Sequence, residues 1–453
     1  FLIGLLYFFS DGTPATKLGI CYGELGNNLP PPSESVRLIE KLKAGRVKIY
    51  DANPEILKAL KGKNLLVSVM LPNQLIPAVA ADQKFSDEWV RKNVAPFYPA
   101  TKIRYILVGN EILSNPPNTT WFELVPAMKR IRISVVKLGM KKIKIGTPLA
   151  MDVLESSYPP SAGAFRSGVI ADDVIKPLLR FLNRTKSFFF VDVYPYFAWV
   201  SQPLQIKLDY ALLQPTNTTY TDPGSGLRYT NLLDQMLDAV VSAMAKLGFP
   251  DIRLFVAETG WPNAGNPDQL GANIYNAATY NRNAVKKFSA NPPVGIPSRP
   301  GAVIPATIFA LFNENKKPGP GTERHFGQLY PDGKFVYPID LSGKTPISAY
   351  PPLRKPASNG RLWCVVANGV RNATSLTAAL TYACGNGNGT CDGIRPGGKC
   401  FRPDSLIRHA SYGFSSYWAQ FSAQGATCSF NGLATLTSKD PSYGYCKYPS
   451  VNL

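Results

Sequence analysis

The chain has 453 residues, 45% hydrophobic and 17% charged, with 40 prolines and 37 glycines; this is the composition of an ordered, loop-rich globular protein with room for one large core and a smaller companion. Its net charge of +19 is spread along the sequence with no clustered basic run and no nucleic-acid motif, so nucleic acid is not the expected partner and an acidic polysaccharide is the polyanion such a charge would meet. Two histidines, His325 and His409, argue against histidine-dependent nucleophilic catalysis and histidine-rich metal sites, and neither metal nor cofactor is expected.

In chain order, FLIGLLYFF opens the sequence and is followed by the small and polar SDGTPATK. The pattern resembles the apolar core and cleavage region of a secretory signal peptide, so residues 1–17 read as a truncated signal peptide and leader, and export is the consequence. From Leu18 onward, short apolar runs alternate with amphipathic stretches. LGICYG (18–23), RVKIYD (46–51), NLLVSVM (64–70), IRYILVGNE (103–111), KIGTPLA (144–150), FFFVDVYPY (188–196), IRLFVAETG (252–260) and VIPATIFALFNE (303–314) are eight candidate strands. SVRLIEKLK, TWFELVPAMKRIRISVVKLG, DDVIKPLLRFLN and LLDQMLDAVVSAMAKLG carry helical periodicity between them, the last closing on a glycine. The alternation predicts an α/β fold, a (β/α)8 TIM barrel over residues 18–342. A doubly wound sheet would begin similarly, but no glycine-rich phosphate loop follows the first strand.

In such a barrel, functional side chains stand at the C-terminal ends of the strands. There the runs turn polar or aromatic: Tyr22, Tyr50 with Asp51, Asn110 with Glu111, Asp192 with Tyr194 and Tyr196, Glu258, and Asn313 with Glu314. Glu111 and Glu258, on strands four and seven, form the best carboxylate pair, with Asn110, Tyr194 and Trp261 as neighbours. Cleavage of a glycosidic bond needs one protonated carboxyl to assist the leaving oxygen and a second carboxylate to attack or to activate water. Aromatic side chains suit the flat apolar faces of sugar rings. The plain structural alternative is that Glu258 caps the turn TGWPNAG.

After Tyr350, PPLRKPASNG reads as part of a linker, residues 343–361, ahead of a small C-terminal module over residues 362–453. Cys364, Cys384, Cys391, Cys400, Cys428 and Cys446 crowd into that module and imply a disulfide framework whose connectivity the spacing leaves open. The odd Cys21 reads as a buried thiol. No apolar run is long enough for a membrane span, and sequons at Asn118, Asn183, Asn217, Asn372 and Asn388 permit N-glycosylation of an exported chain.

GICYG (19–23), KIYDANPEIL (48–57), VGNE (108–111), VDVYPYF (191–197), FVAETGWPNAG (255–265) and FALFNENKKPGPGTERHFG (309–327) together resemble plant glycoside hydrolase family 17, the β-1,3-glucan endohydrolases. The resemblance implies a retaining mechanism with Glu111 as acid/base and Glu258 as nucleophile, their carboxyls about 5 to 5.5 Å apart. It places Asn110, Tyr22 and Tyr194 at the subsite of the reacting ring; Tyr50, Phe197, Trp261 and Phe312 are further subsite candidates, the last three divided between groove platform and core, and strand alternation turns Phe312 toward the cleft and Phe309 into packing. Glu314, Lys317 and Glu323 match a polar cluster that orders the cleft. WCVVANGV and CSFNGLATLTSKDPSYGYCKYPS resemble the plant X8 domain, carbohydrate-binding module family 43. That resemblance implies pairing of Cys364 with Cys428, Cys384 with Cys446 and Cys391 with Cys400. It also implies binding of β-1,3-glucan, with Trp363, Tyr412, Phe414, Tyr417, Trp418, Phe430 and Tyr443 as the aromatic pool for a platform. The expected protein is a secreted monomer of the extracellular space or cell wall, a vacuolar address being the alternative, that hydrolyses callose or fungal wall glucan. A β-1,3-glucan transglycosylase and a non-catalytic glucan-binding wall protein are the competing readings.

Overall fold

The structure, a computed structural model, describes residues 18–114 and 119–453; the apolar N-terminal block and the Asn118 sequon lie outside them. The chain divides into two compact units. The first runs to Asn263 and resumes over Ile274–Gly319 and Glu323–Leu353; the second comprises Ala264–Asn273, Pro320–Thr322 and Arg354–Leu453. Two short stretches from within the expected barrel sequence therefore belong to the second unit.

In the first unit, strands one to four are Gly19–Tyr22, Arg46–Ile49, Leu66–Leu71 and Ile103–Val108; strands six to eight are Phe188–Asp192, Arg253–Thr259 and Ala306–Ile308. Strand five is interrupted at Thr147. Its first half, Lys144–Gly146, pairs in parallel with strand four, and its second half, Pro148–Ala150, pairs in parallel with strand six. Strand one pairs with strands two and eight, so the parallel sheet closes on itself as a (β/α)8 barrel. Pro148 has no N–H to give to a ladder, which fits a break at that point.

The lower interior is an aromatic plug. Met70, Tyr105, Leu107, Phe188, Phe190, Phe255 and Ala257 point inward from alternate strand positions and pack together. The Phe190 and Phe255 rings stack at 4.9 Å, and a Cβ at position 146 would lie 2.2 Å from the Phe190 ring, so Gly146 is the residue that fits there. Each such side chain contributes about 1.5–3 kcal/mol on burial. With the lower barrel filled, the room inside the barrel lies at the end where the strands finish.

The flanking helices bury one face each. Asn231 caps Leu232–Lys246 by accepting the Asp234 N–H, and Leu233, Leu237, Val240 and Met244 lie on the buried side. The stretch expected as one helix from Asp172 enters through a wider π-helical turn, Ile170–Ile175, before Lys176–Thr185. Pro177 explains the difference, because it cannot donate the hydrogen bond that would continue an α-helix. Among the described residues, no helix is long and apolar enough to cross a membrane.

In the second unit, Arg361–Val366 pairs antiparallel with Ala434–Thr437 on one side and Val451–Asn452 on the other. Helices Ala373–Gly385 and Leu406–Phe421 accompany this small sheet, and Phe414 and Trp418 of the second helix are buried. Cys364 bonds Cys428, as expected, but the other two pairings differ: Cys384 bonds Cys391 and Cys400 bonds Cys446. The local fold gives the reason. Cys384 ends a helix and the chain turns back within seven residues, leaving its Cα 5.3 Å from that of Cys391. Cys400 and Cys446 instead share one cluster with Trp363 and Tyr448, their Cα atoms 4.7 Å apart.

Candidate active site

Strand two supplies the base of the site. Arg46, Lys48 and Tyr50 lie two residues apart and so face inward. Arg46 donates to the Tyr105 hydroxyl in the aromatic plug at 3.4 Å. Above it, Lys48 donates to Glu258 Oε1 at 2.6 Å and to Asn110 Oδ1 at 3.3 Å, and the Tyr50 hydroxyl donates to the same Glu258 oxygen at 2.5 Å. Tyr194, just beyond strand six, donates to Glu258 Oε2 at 2.6 Å.

Strict alternation would not bring Glu258 to this position. Phe255 and Ala257 already point into the barrel, which would turn residue 258 toward the helices. Between Val256 and Glu258 the register shifts: Val256 pairs with Val191, yet Glu258 pairs with the next residue, Asp192. One extra residue on strand seven is a β-bulge, and it returns Glu258 to the inner face. Glu111 reaches the cleft differently. Beyond strand four, Gly109 and Glu111 both take positive φ, 71° and 47°, and the Glu111 N–H donates to the Pro148 carbonyl at 3.0 Å. The Asn73 side chain holds this turn by accepting from Asn110 N at 2.7 Å and donating to Asn110 O at 3.0 Å.

The two glutamates have opposite proton affinities. Burial acts to raise the Glu258 pKa, but the Lys48 charge and the hydrogen bonds from Lys48, Tyr194 and Tyr50 outweigh it, holding Glu258 below the ordinary carboxylate value. Burial, then the Glu258 charge, pushes Glu111 up to about 7. Burial alone would disfavour charged Lys48, yet the Glu258 carboxylate in contact with it raises its pKa and keeps it an ammonium. Tyr50 and Tyr194 are raised too, by burial and neighbouring anionic groups, and remain phenols that donate. Cys21 is fully buried, its thiol pushed up to about 12 by burial, and points at the Ala257 carbonyl at 3.5 Å. An inert packing thiol is the result.

A cavity of about 1000 Å³ opens over this group. Tyr50, Asn110, Glu111, Tyr194, Phe197, Glu258, Lys317 and Glu323 line it, bringing these expected residues together. Lys317 faces Glu323 at 3.6 Å and stands over the Phe309 ring, 4.1 Å from its centroid. Four expected subsite residues are elsewhere. Trp261 has no exposed surface and packs against Tyr196, Trp199 and Tyr280, so it is core and cannot touch a sugar. Tyr22 and Phe312 are buried edge to face against each other. Phe309 packs as expected, buried with Cys21, Ala310 and Phe326, and it also borders the cavity. Regular pairing of strand eight stops at Ile308, after which Ala310 bonds Phe326 and Leu311 bonds Cys21, so alternation no longer predicts the facing. Glu314 accepts the Leu25 N–H at 2.8 Å and fills the space where a Cβ on Gly23 would stand; it braces the loop after strand one.

Sequence reasoning missed Lys48, Phe309 and Phe326, and also the pair Tyr158 and Tyr220, whose rings meet at 5.1 Å on the wall of the cavity. The available signal for Lys48 was its position midway between Arg46 and Tyr50, in register with both on one face of the chain. Among the described residues no cluster of side chains suits a metal ion. The arrangement therefore sets an ionised, hydrogen-bonded carboxylate and a carboxylic acid of near-neutral pKa in one cleft with aromatic walls.

A profile described as Glycosyl hydrolases family 17 matches residues 18–341, and one described as X8 domain matches residues 362–435. Probable glucan endo-1,3-beta-glucosidase A6 of Arabidopsis thaliana is 53% identical over 443 residues, covering 97% of this chain and 92% of that protein. Glucan endo-1,3-beta-D-glucosidase of Olea europaea is 37% identical over 450 residues, covering 98% and 96% respectively. The solved structure of a beta-1,3-glucanase and allergen of Cryptomeria japonica pollen superposes with a TM-score of 0.68 at 43% identity, covering 72% of this chain and 99% of that one. Barrel, carboxylate pair and sequence agree, and the chain belongs to glycosyl hydrolase family 17, with an X8 domain following the barrel.

Proposed function

We propose that the protein is a retaining endo-hydrolase of (1→3)-β-D-glucan in which Glu258 is the nucleophile and Glu111 the acid/base. The observation that carries this division is the contrast between the two carboxyls: three donors, one of them the buried Lys48 ammonium, favour the Glu258 anion, while burial keeps a proton on Glu111. Glu258 Oε2 accepts one hydrogen bond against two on Oε1, so Oε2 has the freer lone pair for attack. Attack on the anomeric carbon forms a glycosyl ester as the glycosidic oxygen departs with the Glu111 proton. Glu111, now ionised, takes a proton from the incoming water, whose oxygen bonds to the anomeric carbon while the ester breaks. The names of the relatives supply the substrate, and Phe309, Phe326, Phe197, Tyr158 and Tyr220 offer the apolar surface a glucan chain needs.

The second unit fits a retention role. Trp363, Phe414 and Trp418, all in the expected aromatic pool, are buried, so they stabilise the fold. Tyr382 is half exposed and meets Tyr417 at 5.5 Å between centroids, and this pair is our choice for the sugar platform. Export to the wall as a monomer, with its basic charge facing acidic polysaccharide, belongs to the same reading. Its support is the disulfide-bonded second unit and the exposure of Asn183, Asn217, Asn372 and Asn388.

The test is incubation of the full chain with soluble β-1,3-glucan, with NMR of the first products. Oligosaccharides of mixed length with β-configured new ends are expected. No release would overturn the hydrolase assignment, and longer glucans without new reducing ends would make the protein a transglycosylase.

A further inference from the structure

Asp192 closes strand six, beside Glu258 in the register of strand seven. Its side chain is fully buried, it borders the catalytic cavity, and neither carboxyl oxygen has a hydrogen-bond partner. A buried carboxylate left without donors is among the more costly arrangements a fold can hold. The one nearby cation is Lys48, at 3.9 Å, and that ammonium is already in contact with Glu258 at 2.6 Å. Two carboxyls thus compete for one charge, and distance decides for Glu258, which also takes the two tyrosine hydroxyls.

We propose that Asp192 is a positioning residue that stands as a neutral carboxylic acid between the two glutamates, leaves the Lys48 charge to Glu258, and donates its O–H to Glu111 whenever Glu111 is ionised. The proposal rests on the roles given to Glu111 and Glu258 above. The groups facing Asp192 are Lys48 from strand two, Glu111 after strand four, Tyr194 after its own strand and Glu258 from strand seven. Burial, then the Glu258 charge, raises its proton affinity well above that of an ordinary aspartate; Lys48 opposes them and Glu111 adds to them. Geometry points the same way: no donor reaches either Asp192 oxygen, and the protonated form is the one that can itself donate, to the neighbouring Glu111.

The consequence falls on the covalent stage of the reaction. When the glycosyl ester forms, negative charge moves from Glu258 to Glu111, away from the short Lys48 contact. Asp192 then supplies a hydrogen bond to the new anion without changing its own proton count. When water attacks and its proton passes to Glu111, Asp192 returns to its unpartnered state. No proton is gained or lost at Asp192 over the cycle.

Asp192→Asn keeps the shape and a donor while removing the possibility of charge; Asp192→Val keeps approximate bulk and removes the donor. The asparagine variant should retain kcat within about threefold and leave the alkaline limb of the kcat/KM profile in place. The valine variant should lose about 10- to 100-fold in kcat with KM changed far less, since a hydrogen bond to a charged group formed only after bond cleavage is missing. If the valine variant does not fold, infrared difference spectroscopy decides on the native chain: a protonated carboxyl C=O band at pH 6, absent from Asp192→Asn, is expected. Full valine activity, a downward shift of the alkaline limb by one unit in the asparagine variant, or absence of the infrared band overturns the proposal. Unimpaired Glu111→Gln and Glu258→Gln variants would instead overturn the underlying catalytic assignment, a different result from any of these.

Discussion

Lys48 Nζ lies 2.6 Å from Glu258 Oε1, a contact between strands two and seven with both side chains buried. This ion pair ionises one glutamate of the cleft. Replacing Lys48 by Met leaves a buried carboxylate without its counter-charge. The folded pKa of Glu258 is lowered, so its stabilising contribution is present above the unfolded carboxylate range and is lost as pH falls through the folded value. In Lys48→Met that contribution should disappear at neutral pH: a loss of about 3–5 kcal/mol by denaturant titration, together with an acid limb of kcat/KM that moves upward. An unchanged acid limb would show that Lys48 does not set the ionisation of Glu258.

The Glu111 proton should be visible in both activity and stability. With a pKa pushed to about 7, the alkaline limb of kcat/KM should fall near that pH and vanish in Glu111→Gln. Glu111 binds its proton more tightly folded than unfolded, so stability falls as pH rises from the unfolded carboxylate range through about 7. Glu111→Gln should therefore melt above the native protein at pH 8 and show no such gain at pH 4.

Substrates with activated leaving groups separate the two glutamates. Glu111→Gln should still give a burst of leaving group, because acid assistance matters little there, followed by slow turnover for lack of a base. Glu258→Gln should give no burst. The reverse pattern in rapid-mixing experiments would exchange the two roles.

Trp261 and Phe309, both buried, should differ in their effect on substrate binding. Trp261→Ala empties a fully buried site and should cost about 3–5 kcal/mol in stability. Phe309→Ala, in the core cluster at the cavity wall under Lys317, should lower Tm and also raise KM for soluble glucan, whereas Trp261→Ala should leave KM unchanged. Melting curves beside Michaelis plots check both.

In the second unit, Tyr382→Ala with Tyr417→Ala in the full chain should reduce retention on insoluble β-1,3-glucan while leaving hydrolysis of short soluble glucans unchanged. Pull-down with cellulose as control is the measurement. Undiminished glucan retention would move the binding face elsewhere in the unit.

How far the sequence reached depended on the range of the interactions. Strand-helix alternation comes from local hydrophobic periodicity, so the (β/α)8 barrel was legible, and so were Glu111 and Glu258, since a carboxylate ending an apolar run marks a strand tip. Lys48 was hidden because a lysine alternating with Arg46 on a short strand looks like a solvent-facing position until the barrel closes and Glu258 arrives from the far side. Phe309 and Phe312 depended on where strand eight leaves its regular pairing, Trp261 on the turn after strand seven that sets it among Tyr196, Trp199 and Tyr280, and Glu258 faces the cleft through a bulge that no residue type announces. The disulfide partners were likewise settled by a helix end and a shared aromatic cluster. Periodicity is written along the chain, whereas ionisation, facing and pairing at these positions arise from atoms that only folding brings together. The sequence alone therefore determined the barrel and its two candidate carboxyls, and the tertiary structure decided which carboxyl is held as an anion and which keeps its proton.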